Sequence, residues 1–287
     1  MEPPEFDALS SQAQGDLMLF HYTTSGGLAS ILDSGVFRLS SMRSMNDPRE
    51  ALDFRQIGDG GPVLNTVLKD QVHLAAFTHE GNESAPEGLF ARGFARARNW
   101  AQYGEAHRGA VLAFNRERLL KVAQAALPGL RHGRMKYRDT AAWDQGDIDW
   151  SWIPERNRGE DDHAYATRLL EQIWAQLYLI KNTDWQSERE FRLIYWGGVA
   201  PELPIVDCLD GIILGERFPL HEANVIGARL LRLHVPRLKI TQLLWYDGAP
   251  YGQPASFPGL MIESDPGSPF YSPDSPYHRP SAEAYGG

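Results

Sequence analysis

The stretch Met18-Leu-Phe-His21-Tyr22-Thr23-Thr24, running on to Ile31-Leu32-Asp33-Ser34-Gly35-Val36, decides how this chain is read. Its apolar start predicts a buried strand over Leu17 to Tyr22, on which His21 and Thr23 share one face and Tyr22 takes the other. Ser25 is placed to cap a short helix, Leu28, Ile31 and Leu32 give that helix an apolar face, and Gly35 sits where helices stop. A His at the end of an apolar strand needs a reason. Either it bonds a nearby carbonyl, or, with the hydroxyl of Thr23 beside it, it hydrogen-bonds a ribose diol.

Outward from this strand, further strands are expected at Val36–Ser40, Val72–Thr78, Ala110–Phe114, Arg134–Tyr137, Glu190–Tyr195, Gly211–Leu214 and Gln242–Tyr246. Helices are expected over part of Phe90–His107, over Arg116–Ala126 and over His163–Lys181. In the last, Tyr165, Leu169, Leu170, Ile173, Trp174, Leu177 and Tyr178 follow helical spacing behind Asp162 as a cap. Asn46-Asp47-Pro48 reads as a turn. The organisation expected is an N-terminal arm at 1–16, one domain at 17–248, and a Pro/Gly/Ser-rich tail at 249–287. The Trp-rich acidic segment Trp143–Trp152 is expected to cover a cleft as a lid.

The 287 residues carry a net charge of −9, which argues against general nucleic-acid binding. The charge is uneven: eleven Lys or Arg against two acids over Ala91–Arg138, then eight acids against two Arg over Asp139–Asp162. Those blocks either pair internally or leave a positive face for a phosphate-bearing ligand. The single cysteine, Cys208, excludes an intrachain disulfide and a cysteine-built zinc site, and its apolar neighbours point to an inert thiol. No apolar run reaches membrane-spanning length and Met1-Glu-Pro-Pro-Glu lacks a signal-peptide layout, so a cytoplasmic protein without membrane contact is expected. Phosphate-loop, dinucleotide-glycine, Gly-x-Ser-x-Gly and metal-spaced His patterns are missing, which disfavours kinases, Rossmann dehydrogenases, serine hydrolases and zinc hydrolases, and no metal ligands are assigned.

Two more constellations carry chemistry. In Asn99-Trp100-Ala-Gln-Tyr103-Gly-Glu-Ala-His107-Arg-Gly109, helical spacing would align Trp100, Tyr103 and His107, either packing on a sheet or stacking a flat ring such as nicotinamide. In Glu188-Arg-Glu190-Phe-Arg192, an extended chain puts both carboxylates and Arg192 on one face. That face is either a solvated set of ion pairs or a catalytic carboxylate kept ionised by Arg192. A Glu bonded to a ribose 2′-hydroxyl stabilises the oxocarbenium centre formed as nicotinamide leaves, as glycosidase carboxylates do for a similar cation.

His21-Tyr22-Thr23, Met45-Asn46-Asp47-Pro48, Trp100/Tyr103/His107 before Gly109, Glu188-x-Glu190-x-Arg192 and Asp210–Gly215 occur in that order over Leu17–Gly215. In this the chain resembles the bacterial DUF2971 proteins. His early, an aromatic in the middle and Glu late also resembles the His-Tyr-Glu class of ADP-ribosyltransferases. That resemblance implies an α+β fold with an ADP-ribosyltransferase-like split, mostly antiparallel sheet and flanking helices. It implies NAD as substrate, Glu190 and Glu188 as catalytic carboxylates, and an NAD site drawn from His21, Tyr22, Thr23, Asn46, Tyr103, His107 and Arg192. His21 would hold the adenosine-side ribose and Tyr103 would stack on nicotinamide. The chain departs from the class by joining a His-type opening to a Glu-x-Glu strand like that of arginine-modifying transferases, so the acceptor (protein or nucleic acid) and the choice between Glu188 and Glu190 stay open. The function expected is an NAD-consuming transferase or glycohydrolase, of the kind used by toxins and anti-phage defence effectors, with a regulatory or antitoxin partner. The alternatives are a non-catalytic nucleotide- or partner-binding module and a nucleic-acid-modifying enzyme or nuclease.

Overall fold

A computed structural model describes residues 18–53, 62–80, 92–139, 153–197, 199–233 and 238–254. The expected arm at 1–16, the expected lid at 143–152 and the tail beyond 254 lie outside the described residues.

The chain opens with strand β1 (Met18–Thr23) and helix α1 (Ser25–Ser34). Thr24, not Ser25, is the cap: its side chain accepts from the Gly27 N–H, and Ser25 begins the helix. Gly35 ends it in the left-handed region (φ 69°), where a Cβ would be strained, and its N–H donates to Ile31 O. Strands β2 (Val36–Arg38) and β3 (Ser40–Ser41) follow, then α2 (Pro48–Ala51) and α3 (Pro62–Asn65), the latter continued by a π-helical turn over Thr66–Asp70. Strand β4 (Val72–His79), α4 (Ala97–Gln102), β5 (Ala110–Asn115), α5 (Arg116–Ala126), β6 (Arg131–Arg134) and β7 (Lys136–Tyr137) come next. The long helix α6 (Asp162–Tyr178) is capped by Asp161, which accepts from the Ala164 N–H, and gives way to β8 (Ile180–Lys181). The chain continues through β9 (Glu190–Trp196), β10 (Glu202–Pro204), β11 (Leu209–Leu214), α7 (Leu220–Leu233), β12 (Lys239–Tyr246) and β13 (Ala249–Pro254). Because β13 pairs with β12 along its whole length, the sheet runs on past Gly248. None of the described helices is long and apolar enough to cross a membrane.

The fold is α+β, with a mostly antiparallel sheet ordered β13-β12-β11-β5-β1-β4-β9-β6 and β3 paired to the start of β4. Only β11 and β12 run parallel within it. All of β1 pairs with β5, from Met18↔Asn115 to Thr23↔Ala110. On its other edge β1 meets β4 at just Leu19↔His79 and Phe20↔Thr78. Beyond Phe20 the two strands diverge, and the start of β4 pairs instead with β3, at Ser40↔Leu74 and Ser41↔His73. The sheet is therefore forked, and His21 is the first residue past the point of divergence.

Side-chain alternation decides what covers each face. Leu19, Leu112, Phe114, Phe77 and Leu193 pack on one face with Leu28 and Leu32 of α1, Leu119 of α5 and Leu230 of α7. Leu28 and Leu32 are fully buried, which is worth about 1.5–3 kcal/mol each. On the other face, Leu74 and Ile194 meet Leu169, Leu170, Ile173 and Leu177 of α6, while Phe20, Tyr22, Val111 and Ile213 meet Trp100 of α4. The fork lies where those two halves meet.

The helix expected within Phe90–His107 is short. After α4 the chain makes a turn in which Glu105, Ala106 and His107 all have positive φ (52°, 50° and 69°). It closes tightly on the body: a Cβ at Gly109 would lie 2.1 Å from Thr23 O, and one at Gly215 would lie 2.2 Å from His107 O. Glu105 Oε2 accepts from both the backbone N–H and the hydroxyl of Ser25, at 2.9 Å each, tying the turn to α1.

Candidate functional site

A cavity of about 330 Å³ fills the fork, at the small end of the range for ligand sites. One wall comes from β1, β2 and β4. His21 Nδ1 donates to Ala76 O at 2.9 Å, bridging the two diverging strands. The ring stands edge-on to Phe37 (centroids 4.5 Å apart, planes at 90°) and to Phe77 (5.8 Å, 61°). Burial pushes the His21 pKa down to about 4, outweighing the opposite pull of that backbone bond. The imidazole is thus neutral at pH 7, and with the proton on Nδ1, Nε2 is an acceptor.

A second part of the lining is built from charges. Glu188 ends a 3₁₀ turn (Thr183–Glu188), Arg189 bends the backbone through φ 45°, and β9 starts at Glu190. A left-handed non-glycine residue costs on the order of 1–2 kcal/mol. Here it turns the chain so that both carboxylates reach one ammonium: Lys181 Nζ donates to Glu188 Oε2 at 2.8 Å and to Glu190 Oε2 at 3.0 Å. Arg192 Nε donates to Glu190 Oε1 at 2.5 Å, and its Nη2 donates to Glu190 Oε2 at 3.1 Å and Glu50 Oε1 at 2.5 Å. Arg192 Nη1 caps Tyr178 O at the end of α6. Glu50, Lys181, Glu188, Glu190 and Arg192 are all 5% exposed or less.

Electrostatics divides these carboxyls. Burial alone would raise Glu190, but the Arg192 and Lys181 charges hold it below its usual range. Burial raises Glu50, and here Arg192 does not compensate. Arg192 and Lys181 are raised, their desolvation outweighed by the surrounding carboxylates. Tyr103 OH donates to Glu188 Oε1 at 2.6 Å and accepts from the Asn46 side chain; burial and Glu188 together raise its pKa. Each Glu188 oxygen thus holds one donor, whereas the two Glu190 oxygens share three and Glu190 N–H donates to Tyr137 OH.

The cavity brings together His21, Asn46, Tyr103, Glu188, Glu190 and Arg192 of the residues singled out in the sequence. Tyr22 also borders it, but its hydroxyl points away, donating to Gly93 O and accepting from Arg96 N–H. Thr23 is not among the lining residues; its hydroxyl lies against the first turn of α1, 2.3 Å from where a Gly27 Cβ would stand. His107 is not brought to the cavity either. The turn after α4 carries it onto the far side of Trp100, where it stacks at 6.0 Å and meets Trp245 edge-on. The expected alignment of Trp100, Tyr103 and His107 fails because α4 stops at Gln102. Asn99 and Tyr103, four residues apart, face the cavity instead. Cys208 is fully buried, and burial pushes its thiol up to about 12.

Glu50, Lys181 and Asn99 are site residues that the sequence reading missed. Glu50 follows the Asn46-Asp47-Pro48 turn, and the cap of α2 by Asp47, accepting from Arg49 N–H, fixes its place. Lys69 Nζ donates to the Arg49 and Glu50 carbonyls at 2.9 Å each, anchoring that helix from below. Residues 99–193 match a protein-family model described as a protein of unknown function, DUF2971. This segment belongs to the DUF2971 family. The DUF2971 segment contains Asn99, Tyr103, Lys181, Glu188, Glu190 and Arg192, while His21, Asn46 and Glu50 stand before it. No curated protein and no solved structure matches the chain.

Proposed function

We propose that the forked cavity binds the ribosyl part of NAD and breaks its bond to nicotinamide. The observation that carries this reading is that a neutral His and a pair of buried carboxylates line one cavity. In the reading, His21 Nε2 accepts from a ribose hydroxyl. The glycosidic electron pair leaves with the nicotinamide nitrogen, which becomes neutral and needs no proton. Positive charge then develops on the ribosyl carbon, and a carboxylate accepting from the 2′-hydroxyl stabilises it before water or an acceptor attacks. Glu188 is the better-placed carboxylate, since each of its oxygens keeps a lone pair beyond its single donor. Glu190, with three donors, acts as the positioning partner of Lys181 and Arg192. Tyr103 orients Glu188 through its hydroxyl, a role distinct from ring stacking.

The test is nicotinamide release from NAD by the purified chain beside Glu188→Gln and Glu190→Gln, each with a melting curve. We expect Glu188→Gln to lose roughly 10²–10³-fold in release while melting near wild type. Glu190→Gln should lose release and stability together. Full release by Glu188→Gln would remove that carboxylate from the mechanism, and wild type that neither binds nor cleaves NAD would remove the reading. A second reading draws on the saturation of Glu190 by Arg192 and Lys181: a site that binds a nucleotide without turnover. Calorimetric NAD binding with no nicotinamide released, with or without added protein acceptors, would favour it.

A further inference from the structure

Asn99 leaves α4 on the same face as Tyr103, four residues on, and both border the cavity. It is 1% exposed. Its Nδ2 donates to Thr78 Oγ1 at 3.0 Å, and its Oδ1 has no hydrogen-bond partner. A buried amide oxygen left without a donor is destabilising, so its place needs a reason. Thr78 is the cross-strand neighbour of Glu190, so this amide lies one strand from the carboxylate wall. The Thr78 hydroxyl, already an acceptor for Asn99, retains its own proton to donate.

We infer that Asn99 and Thr78 form a subsite for an aromatic carboxamide, Asn99 Oδ1 accepting its N–H and the Thr78 hydroxyl donating to its carbonyl. The inference rests on the proposed function and deepens it, because it assigns the residues that would select nicotinamide as the departing group. A carboxamide matches this pair by presenting a donor and an acceptor side by side. The Asn99 oxygen is screened from water, so engaging a ligand takes a turn of the amide about χ2, a change of the size side chains commonly make on binding.

The experiment compares nicotinamide with 3-acetylpyridine, a neutral isostere that keeps the carbonyl and lacks the N–H donors. Ligand-observed NMR titrations on the full chain would use wild type, Asn99→Leu and Thr78→Val, each checked by its melting curve. Wild type should prefer nicotinamide by about tenfold or more, the worth of one well-placed hydrogen bond. That preference should collapse to near one in Asn99→Leu, whereas Thr78→Val should weaken both ligands about equally, because both keep the carbonyl. The inference is overturned if wild type treats the two alike, if it does not bind nicotinamide, if the preference survives in folded Asn99→Leu, or if folded Thr78→Val binds both ligands as tightly as wild type. The same pair as adenine dinucleotides separates the two ideas. Nicotinamide release by wild type without any amide preference keeps the proposed function and ends this subsite. Amide preference without release keeps the subsite and ends the catalytic reading.

Discussion

The two walls of the cavity are held in place by different physics. The His21 wall is neutral: one backbone hydrogen bond and edge-on contacts with Phe37 and Phe77 fix the ring. Such ring pairs add about 0.5–1.5 kcal/mol beyond their buried area. The charged wall packs three carboxyls, an ammonium and a guanidinium into space almost closed to water. Taking each ion out of water costs several kcal/mol, and attraction between them does little more than offset it, so an apolar wall of equal volume would hold the fold as well. Stability accounts for the first wall. The second needs another reason, and the proposed function supplies one.

The sharpest way to break this comparison is Arg192→Met. It leaves Glu190 and Glu50 without their shared guanidinium and frees Tyr178 O, so urea denaturation should show a loss of about 3–5 kcal/mol. Adding Glu50→Gln and Glu190→Gln should restore most of it, because the penalty lies in the stranded charges. An Arg192→Met chain as stable as wild type would mean that the wall is not one coupled network.

The neutral wall is tested by acid. His21 has its pKa depressed to about 4 in the fold, against about 6.5 in an unfolded chain. Between those values the unfolded state binds the extra proton, so stability falls as the pH drops from about 6.5 to 4 and is level, for this group, outside that window. Its share is up to about 3 kcal/mol. His79 and His107 are lowered too and push the same way, so His21→Gln should flatten part of the slope. Urea midpoints at pH 7.5 and 4.5 for both chains measure that share. Equal slopes would mean that His21 is already solvated and is no buried acceptor.

A third, smaller effect belongs to the link between α4 and the carboxylates. Tyr103→Phe removes the hydroxyl that donates to Glu188, and the expected loss is about 1–2 kcal/mol in stability with roughly tenfold in nicotinamide release. Unchanged release would leave the orientation of Glu188 to Lys181 alone.

Much of this was legible from local pattern. The opening strand and its helix, the strand at Glu190 and the long amphipathic helix follow from periodicity and caps, because those signals are local. Placing the candidate carboxylates beside His21 rested on residue order and family resemblance. What the sequence hid depended on tertiary context. Glu188 and Glu190 look like neighbours on one strand face, yet they converge only through the left-handed bend at Arg189, which no local preference announces. Lys181 read as the end of α6, and just two residues of strand after Leu179 aim it into the cluster. Asn99 was overlooked beside Trp100. The i, i+4 spacing to Tyr103 was visible, but a helix stopping at Gln102 was not.

The smallest expected effects mark the limits of the site. Thr23 and His107 both belonged to the NAD site expected from the sequence; the Thr23 side chain lies against the first turn of α1 instead, and His107 is carried away by the tight turn against Gly109 and Gly215. Thr23→Val keeps the shape that packs on α1, so stability should stay within about 0.5 kcal/mol and nicotinamide release within twofold. His107→Ala forfeits stacking on Trp100, worth about 1 kcal/mol, again with release within twofold. If His107→Ala cut release tenfold while melting normally, the ligand would have to extend past β1 to the Trp100 side of the sheet, and a like effect of Thr23→Val would extend it toward α1. The fork alone would then be too small a description of the site, and the contrast between its two walls would need a third surface.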